Sequence, residues 1–206
     1  MAADAHPVNR VEQALRKMAD ALRARNVSFA LIGGLAVSAR AEPRFTRDVD
    51  LAIAVADDAA AERLVHELAS VGYLILATVE QDKTGRLATV RLGSTESART
   101  GVVVDLLFAS SGIEREVVDA AEALELVESL SLPVAQIGHL IALKLLAQAP
   151  QRPQDAADLA ALSAIATSDD LSMARQALDQ ITQRGFNRGR DLADAWTRFL
   201  ASRDFG

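Results

Sequence analysis

The chain contains no cysteine, so neither a disulfide nor a thiolate metal site can form, an absence that fits the cytoplasm. Only three histidines occur in 206 residues, which argues against a histidine-built metal centre. Aromatic residues make up 4% of the chain, leaving few platforms on which nucleic-acid bases could stack. Long apolar runs are missing too. The greasiest stretch, 132–149, is interrupted by Gln136, His139, Lys144 and Gln148 and does not read as a membrane span. The opening MAADAHPVNR lacks the apolar core of a secretory signal. Lys and Arg number 22 against 28 Asp and Glu, and a net charge of −6 argues against a broad duplex-DNA surface. What is present is a chain 50% hydrophobic and 24% charged, long enough to bury a real core. We expect a cytoplasmic globular protein.

The charge is uneven. Residues 10–47 hold eight basic and three acidic side chains, whereas 48–135 hold six basic and sixteen acidic ones. The sign changes between Arg47 and Asp48.

Hydrophobic periodicity divides the chain into two parts. Segment 8–25 carries a helical stripe of Val11, Leu15, Met18, Ala19 and Leu22. Segment 28–32 reads as a strand ending in Gly33-Gly34, followed by a short helix at 35–41 that stops before Pro43. Further strands are expected at 49–55, 73–77, 87–92 and 102–108, with a helix over 59–71 capped by Asp57 and Asp58. Beyond Ile113, apart from a short strand near 124–127, the pattern is helical: 135–149, 153–165, 170–183 and 188–202, with Asp169 and Asp170 offering a cap. The expected fold class is therefore α/β (α+β), a mixed sheet flanked by helices and followed by a C-terminal helical bundle. We place the first unit at 1–130 and the helical unit at 131–206.

Three features carry chemistry. Gly33-Gly34 lies at a strand-to-helix turn, where backbone amides can approach an anion at the positive end of a helix. Asp48 and Asp50 stand two apart on a strand and so project to one face, an oxygen-rich pairing suited to Mg²⁺ or Mn²⁺. Asp105 is alone in the apolar strand VVVDLLF, a costly position unless it is paired or metal-bound. Were its strand beside that of Asp50, the three carboxylates would converge as a two-cation phosphoryl or nucleotidyl transfer requires. Further along, Lys144 on an apolar helix can snorkel to solvent, or point across a cleft at a triphosphate or at Asp155 and Asp158. Those two acids share a helix face. Arg44 and Arg47 flank the proposed site, while His139 reads as a packing residue.

The run Ile32-Gly33-Gly34-Leu35-Ala36-Val37, followed by Arg44, Thr46, Arg47 and Asp48-Val49-Asp50-Leu51, resembles the nucleotidyltransferase-fold toxins of the AbiEii/AbiGii group, within the polymerase-beta-like nucleotidyltransferase superfamily. The segment 135–162, a lysine-bearing helix, an arginine-containing turn and Asp-x-x-Asp, is similar to theirs. The resemblance implies that Asp48, Asp50 and Asp105 hold metal and that Gly33 and Gly34 hold the triphosphate. It also implies that Lys144, Asp155 and Asp158 serve the nucleotide, and Arg47 is assigned to the same task. It further implies an Mg²⁺- or Mn²⁺-dependent transfer from an NTP to an acceptor, tRNA in the better understood toxins, and an antitoxin partner. Two departures stand out: Gly34 replaces the serine common in the wider superfamily, and Gln154 replaces a basic residue for which Arg152 could substitute. Two other readings remain open at this point. One is a nucleotide-binding protein of the same fold with little transfer activity, and the other a transferase acting on a small hydroxylated molecule.

Overall fold

The computed structural model of the chain describes residues 7–81, 84–94, 101–149 and 153–203. Helix α1 (Pro7–Arg23) turns Val11, Leu15, Met18, Ala19 and Leu22 into the core. Then follow β1 (Ser28–Ile32), α2 (Gly33–Arg40), β2 (Asp48–Ala54), α3 (Asp58–Ser70), β3 (Leu74–Glu80), β4 (Leu87–Gly93) and β5 (Val103–Leu107). The short helix α4 (Glu114–Asp119) leads into β6 (Glu122–Val127) and β7 (Leu130–Val134). Helices α5 (Ile137–Ala147), α6 (Pro153–Ile165), α7 (Ser168–Gln183) and α8 (Leu192–Arg203) complete the described chain. No described helix is long and apolar enough to cross a membrane.

The seven strands form one mixed sheet in the order β3-β4-β5-β2-β1-β7-β6. Strands β2 and β5 run parallel, as do β1 and β7, and the other neighbours are antiparallel. The centre of the sheet is the most apolar part, with Val49, Leu51, Ala52 and Ile53 of β2 at 1% exposure or less. Strand β3 is an edge along which every residue is exposed, and two register shifts interrupt its pairing with β4. Such irregularities blunt an open edge against further pairing.

Helix starts follow local side-chain chemistry. Asp57 caps α3 by accepting from the Ala60 amide at 2.8 Å. For α7 the cap is Thr167 rather than Asp169 or Asp170. Its side chain accepts from the Asp170 amide, while the Asp170 carboxylate accepts from the Thr167 amide in a reciprocal capping box.

Strands β6 and β7 form a hairpin that adds two strands to the sheet, and the run of C-terminal helices begins after it at Ile137. The hairpin's first strand, β6, contains the short strand expected near 124–127, but the sequence hides the turn and the second strand for two reasons. Its turn places Ser129, not glycine, in the left-handed region at φ 62°, so the usual turn signal is missing. Its second strand contains Pro133, which cannot donate to a ladder. Proline is tolerated because β1 meets β7 only where Leu31 faces Val134.

Helix α5 is the hub of the helical part, packing on α2, α6, α7 and α8. It approaches α7 closely at Gly138. A Cβ added there would lie 2.5 Å from the Asp170 carbonyl oxygen and 2.7 Å from the Met173 Cβ. Gly138→Val is therefore expected to lower stability by about 1–3 kcal/mol through overpacking. Urea denaturation checks this, and an unchanged midpoint would contradict the close approach.

Candidate active site

Strand pairing creates the carboxylate face. In the parallel register of β2 and β5, Asp50 stands directly opposite Asp105, and Asp48 opposite Val103. Side chains alternate along a strand, so Asp48, Asp50 and Asp105 belong to one face of the sheet. Asp105 is buried at 8% exposure. Its two oxygens accept from Arg91 of β4, Nε at 2.8 Å and Nη2 at 2.6 Å, in a two-pronged ion pair set by the Arg91–Asp105 register across β4 and β5. The hydrogen bond to Asp105, with the charges of Asp105, Asp48 and Asp50 adding to it against the cost of burial, holds the Arg91 guanidinium above its ordinary pKa.

The glycine turn sits on this face. Gly33 opens α2 at φ 66°, and a Cβ there would strike the Asp50 carboxylate, its Cγ lying 2.6 Å away. A Cβ at Gly34 would lie 2.5 Å from an Arg44 guanidinium nitrogen. Gly33 thus leaves room for the Asp50 carboxylate, and Gly34 lies against the end of the Arg44 side chain, which an added Cβ would have to displace. The N-cap position of α2 is Ile32, whose side chain makes no capping hydrogen bond. The start of the helix, with the partial positive charge of its first amides, therefore lies at the glycine turn.

A buried ion cluster braces the turn from the helical side. Arg44 donates to both oxygens of Asp158, from Nε at 2.5 Å and Nη2 at 2.8 Å. Lys144 Nζ reaches Asp155 at 2.8 Å and Asp158 at 2.6 Å. Asp155 and Asp158 are 2% and 1% exposed, so they are not surface acids at a helix start. Lys144 does not snorkel away, being 9% exposed. Burial disfavours the ionised form of Asp158, but hydrogen bonds from Arg44 and Lys144 more than offset this and hold its carboxyl below the ordinary value.

A cavity of about 700 Å³ connects these parts, lined by Gly33, Asp50, Asp105, Lys144, Asp155 and Arg188 among others. Its roof is the apolar side of α5, with Leu140, Leu143 and Ala147. Gly34, Asp48 and Asp158 are not among the described residues lining it. Arg47 is not either; it is exposed, with its guanidinium 5.4 Å from the centre of the Phe45 ring. Arg152 lies outside the described residues, and Gln154 is exposed. His139 is packed inside, and burial depresses its pKa.

Sequence reasoning did not single out Arg91, Arg188 or the Ser110-Ser111 loop. Arg188, at φ 53°, donates to the Ser110 carbonyl at 3.0 Å and hydroxyl at 2.7 Å. Glu114 is 5% exposed and accepts from the amides of Ser110 and Ser111 and from the Ser111 hydroxyl. The spacing Ser111-x-x-Glu114 is that of a capping box, but here it ties the loop itself, since α4 starts at Glu114 with Ile113 at its N-cap.

Among the described residues no three His, Asp or Glu side chains are grouped so as to hold a metal ion. The donor chemistry nevertheless fits a hard divalent cation. Asp50 and Asp105 lie opposite each other on neighbouring strands and Asp48 shares their face, although Arg91 engages both oxygens of Asp105.

Solved structures with the same architecture define the class. An antigenic nucleotidyltransferase-like protein from Paracoccidioides brasiliensis superposes with a TM-score of 0.51 at 16% identity, over 91% of this chain and 92% of its own. The antibiotic-resistance factor ANT(2'')-Ia, in a solution structure, gives 0.50 at 14% identity, over 97% and 95%. At these identities the likeness shows a shared nucleotidyltransferase fold. The family described as nucleotidyl transferase AbiEii toxin, type IV toxin–antitoxin system, matches residues 16–204, and the chain belongs to it. Membership implies an NTP-using enzyme. No curated protein sequence matches the chain.

The ion cluster makes a prediction of its own. Removing one partner of a buried ion pair costs about 3–5 kcal/mol, so Asp158→Asn is expected to lose that much stability at pH 7. Asp158 has a folded pKa below its unfolded one. Its contribution is complete above the unfolded value of about 3.9 and fades as pH falls through the lower folded value. Denaturation of wild type and Asp158→Asn should therefore show a gap that narrows below about pH 4. A gap equal at neutral and acidic pH would contradict the cluster.

Proposed function

We propose that this protein is a metal-dependent nucleotidyltransferase that moves a nucleotidyl group from an NTP to an acceptor hydroxyl, with an RNA such as tRNA as the acceptor. The toxin role, with an antitoxin partner and a cytoplasmic location, belongs to the same reading. The observation that carries it is the placement of Asp50 opposite Asp105 on adjacent parallel strands, with the Gly33 turn packed against Asp50.

In this reading Asp48, Asp50 and Asp105 hold Mg²⁺ or Mn²⁺, which when bound supplies charge neutralisation at the phosphates. The amides of Gly33 and Gly34 bind the triphosphate oxygens. The acceptor oxygen forms a bond to the α-phosphorus as the α–β phosphoanhydride bond breaks, and pyrophosphate leaves with the electron pair. Asp105 helps orient the acceptor hydroxyl and takes up its proton as the new bond forms. Lys144, held in place by Asp155 and Asp158, faces the cavity and offsets charge building on the leaving group. Arg47, exposed beside Asp48, would join the phosphates only by leaving Phe45.

One observation favours a second reading. None of the described residues lining the cavity is aromatic, and its roof is aliphatic. Base stacking there has no platform, which suits a small hydroxylated acceptor.

Incubation with labelled NTPs, Mg²⁺, total RNA and, in parallel, aminoglycosides tests both readings. Label on RNA, reduced at least about a hundredfold by Asp50→Ala, is the expected result. Label confined to the small molecules selects the second reading. Label on neither, with Asp50→Ala matching wild type, overturns the proposal.

A further inference from the structure

We propose that Arg91 is a resident counter-cation of the carboxylate face, a positioning residue that holds Asp105 until a divalent cation displaces it. This rests on the metal-binding reading above and adds a residue of this chain that sets the affinity of the site.

The argument begins with register. Arg91 and Asp105 are Cα partners across the antiparallel β4–β5 ladder, so their side chains rise side by side from one face of the sheet. The guanidinium fork takes both Asp105 oxygens at 2.8 Å and 2.6 Å, a geometry that leaves the carboxylate few lone pairs for another cation. The two exposures differ in a telling way. The Asp105 side chain is 12% exposed and the Arg91 side chain 45%. The carboxylate is fixed, while the arginine borders solvent and can turn outward without opening the core.

The ion pair also answers a problem of charge. Three carboxylates on one sheet face repel each other, and Asp48, Asp50 and Asp105 all act electrostatically on Arg91. A single delocalised cation relieves that repulsion. A divalent cation would relieve it more strongly but must compete for Asp105 and tolerate a positive neighbour. Arg91 thus stabilises the site in the absence of metal and weakens metal binding to it.

The test is Mn²⁺ binding to the full chain without nucleotide, followed by electron paramagnetic resonance and by thermal melting. Arg91→Gln is expected to bind Mn²⁺ at least about tenfold more tightly than wild type, since a positive neighbour and a competitor are both removed. Its melting temperature without metal should be lower and should recover with Mn²⁺. Arg91→Lys, which keeps a charge but not the fork, should fall between the two and serves if the glutamine variant does not fold. Asp50→Asn should abolish binding in every background. Equal or weaker Mn²⁺ affinity in the folded Arg91 variants, with binding still dependent on Asp50, overturns the role of Arg91 and leaves the metal site standing. Absence of Asp50-dependent binding in all proteins overturns the metal reading, and this inference with it.

Discussion

Asp158 accepts bonds from Arg44, in the connection between α2 and β2, and from Lys144, on α5, and this sharing ties three distant pieces of chain together. With Asp155 beside it, the cluster closes the helical part onto the glycine turn of the sheet part. A carboxylate buried to 1% exposure tolerates ionisation only with such partners, so the elements must meet where the two cations converge. The position of Lys144 over the cavity follows, as does the position of Arg44, whose guanidinium lies against Gly34. The network is therefore both a brace and the wall of the site.

The opposite wall is set by strand register. Parallel pairing of β2 with β5 brings Asp50 to Asp105, and antiparallel pairing of β4 with β5 brings Arg91 to the same carboxylate. A slip of one residue in either ladder would turn these groups to the other face. The fully buried apolar residues of β2, Leu51 and Ile53, make such a slip costly, because it would expose them. Ordinary hydrophobic burial in the centre of the sheet thus fixes the placement of its charged groups.

Much of this was legible in the sequence. The stripe of α1, the strand ending in Gly33-Gly34, the paired acids Asp48 and Asp50 and the isolated Asp105 each carry a local signal, and their combination resembled the family to which the chain belongs. What escaped was long-range or locally disguised. Arg44 and Asp158 are 114 positions apart, so no spacing rule joins them. Arg44 and Arg47 are the same residue type three positions apart in a connecting segment, and no period tells which turns inward. Arg91 reads as an ordinary strand charge until the register sets it against Asp105. Strand β6 was expected near 124–127, but its hairpin partner β7 was hidden by a non-glycine left-handed turn residue and by Pro133.

The central claim is that one sheet face, bounded by the glycine turn and by Lys144, gathers metal and triphosphate together. A crystal structure with Mn²⁺ and a non-hydrolysable NTP analogue, collected for anomalous scattering, tests it most directly. The account predicts an anomalous peak between Asp48 and Asp50, phosphate oxygens on the Gly33 and Gly34 amides, and Lys144 facing the β- and γ-phosphates. A nucleotide bound elsewhere, or Asp48 and Asp50 without a metal peak, would contradict it.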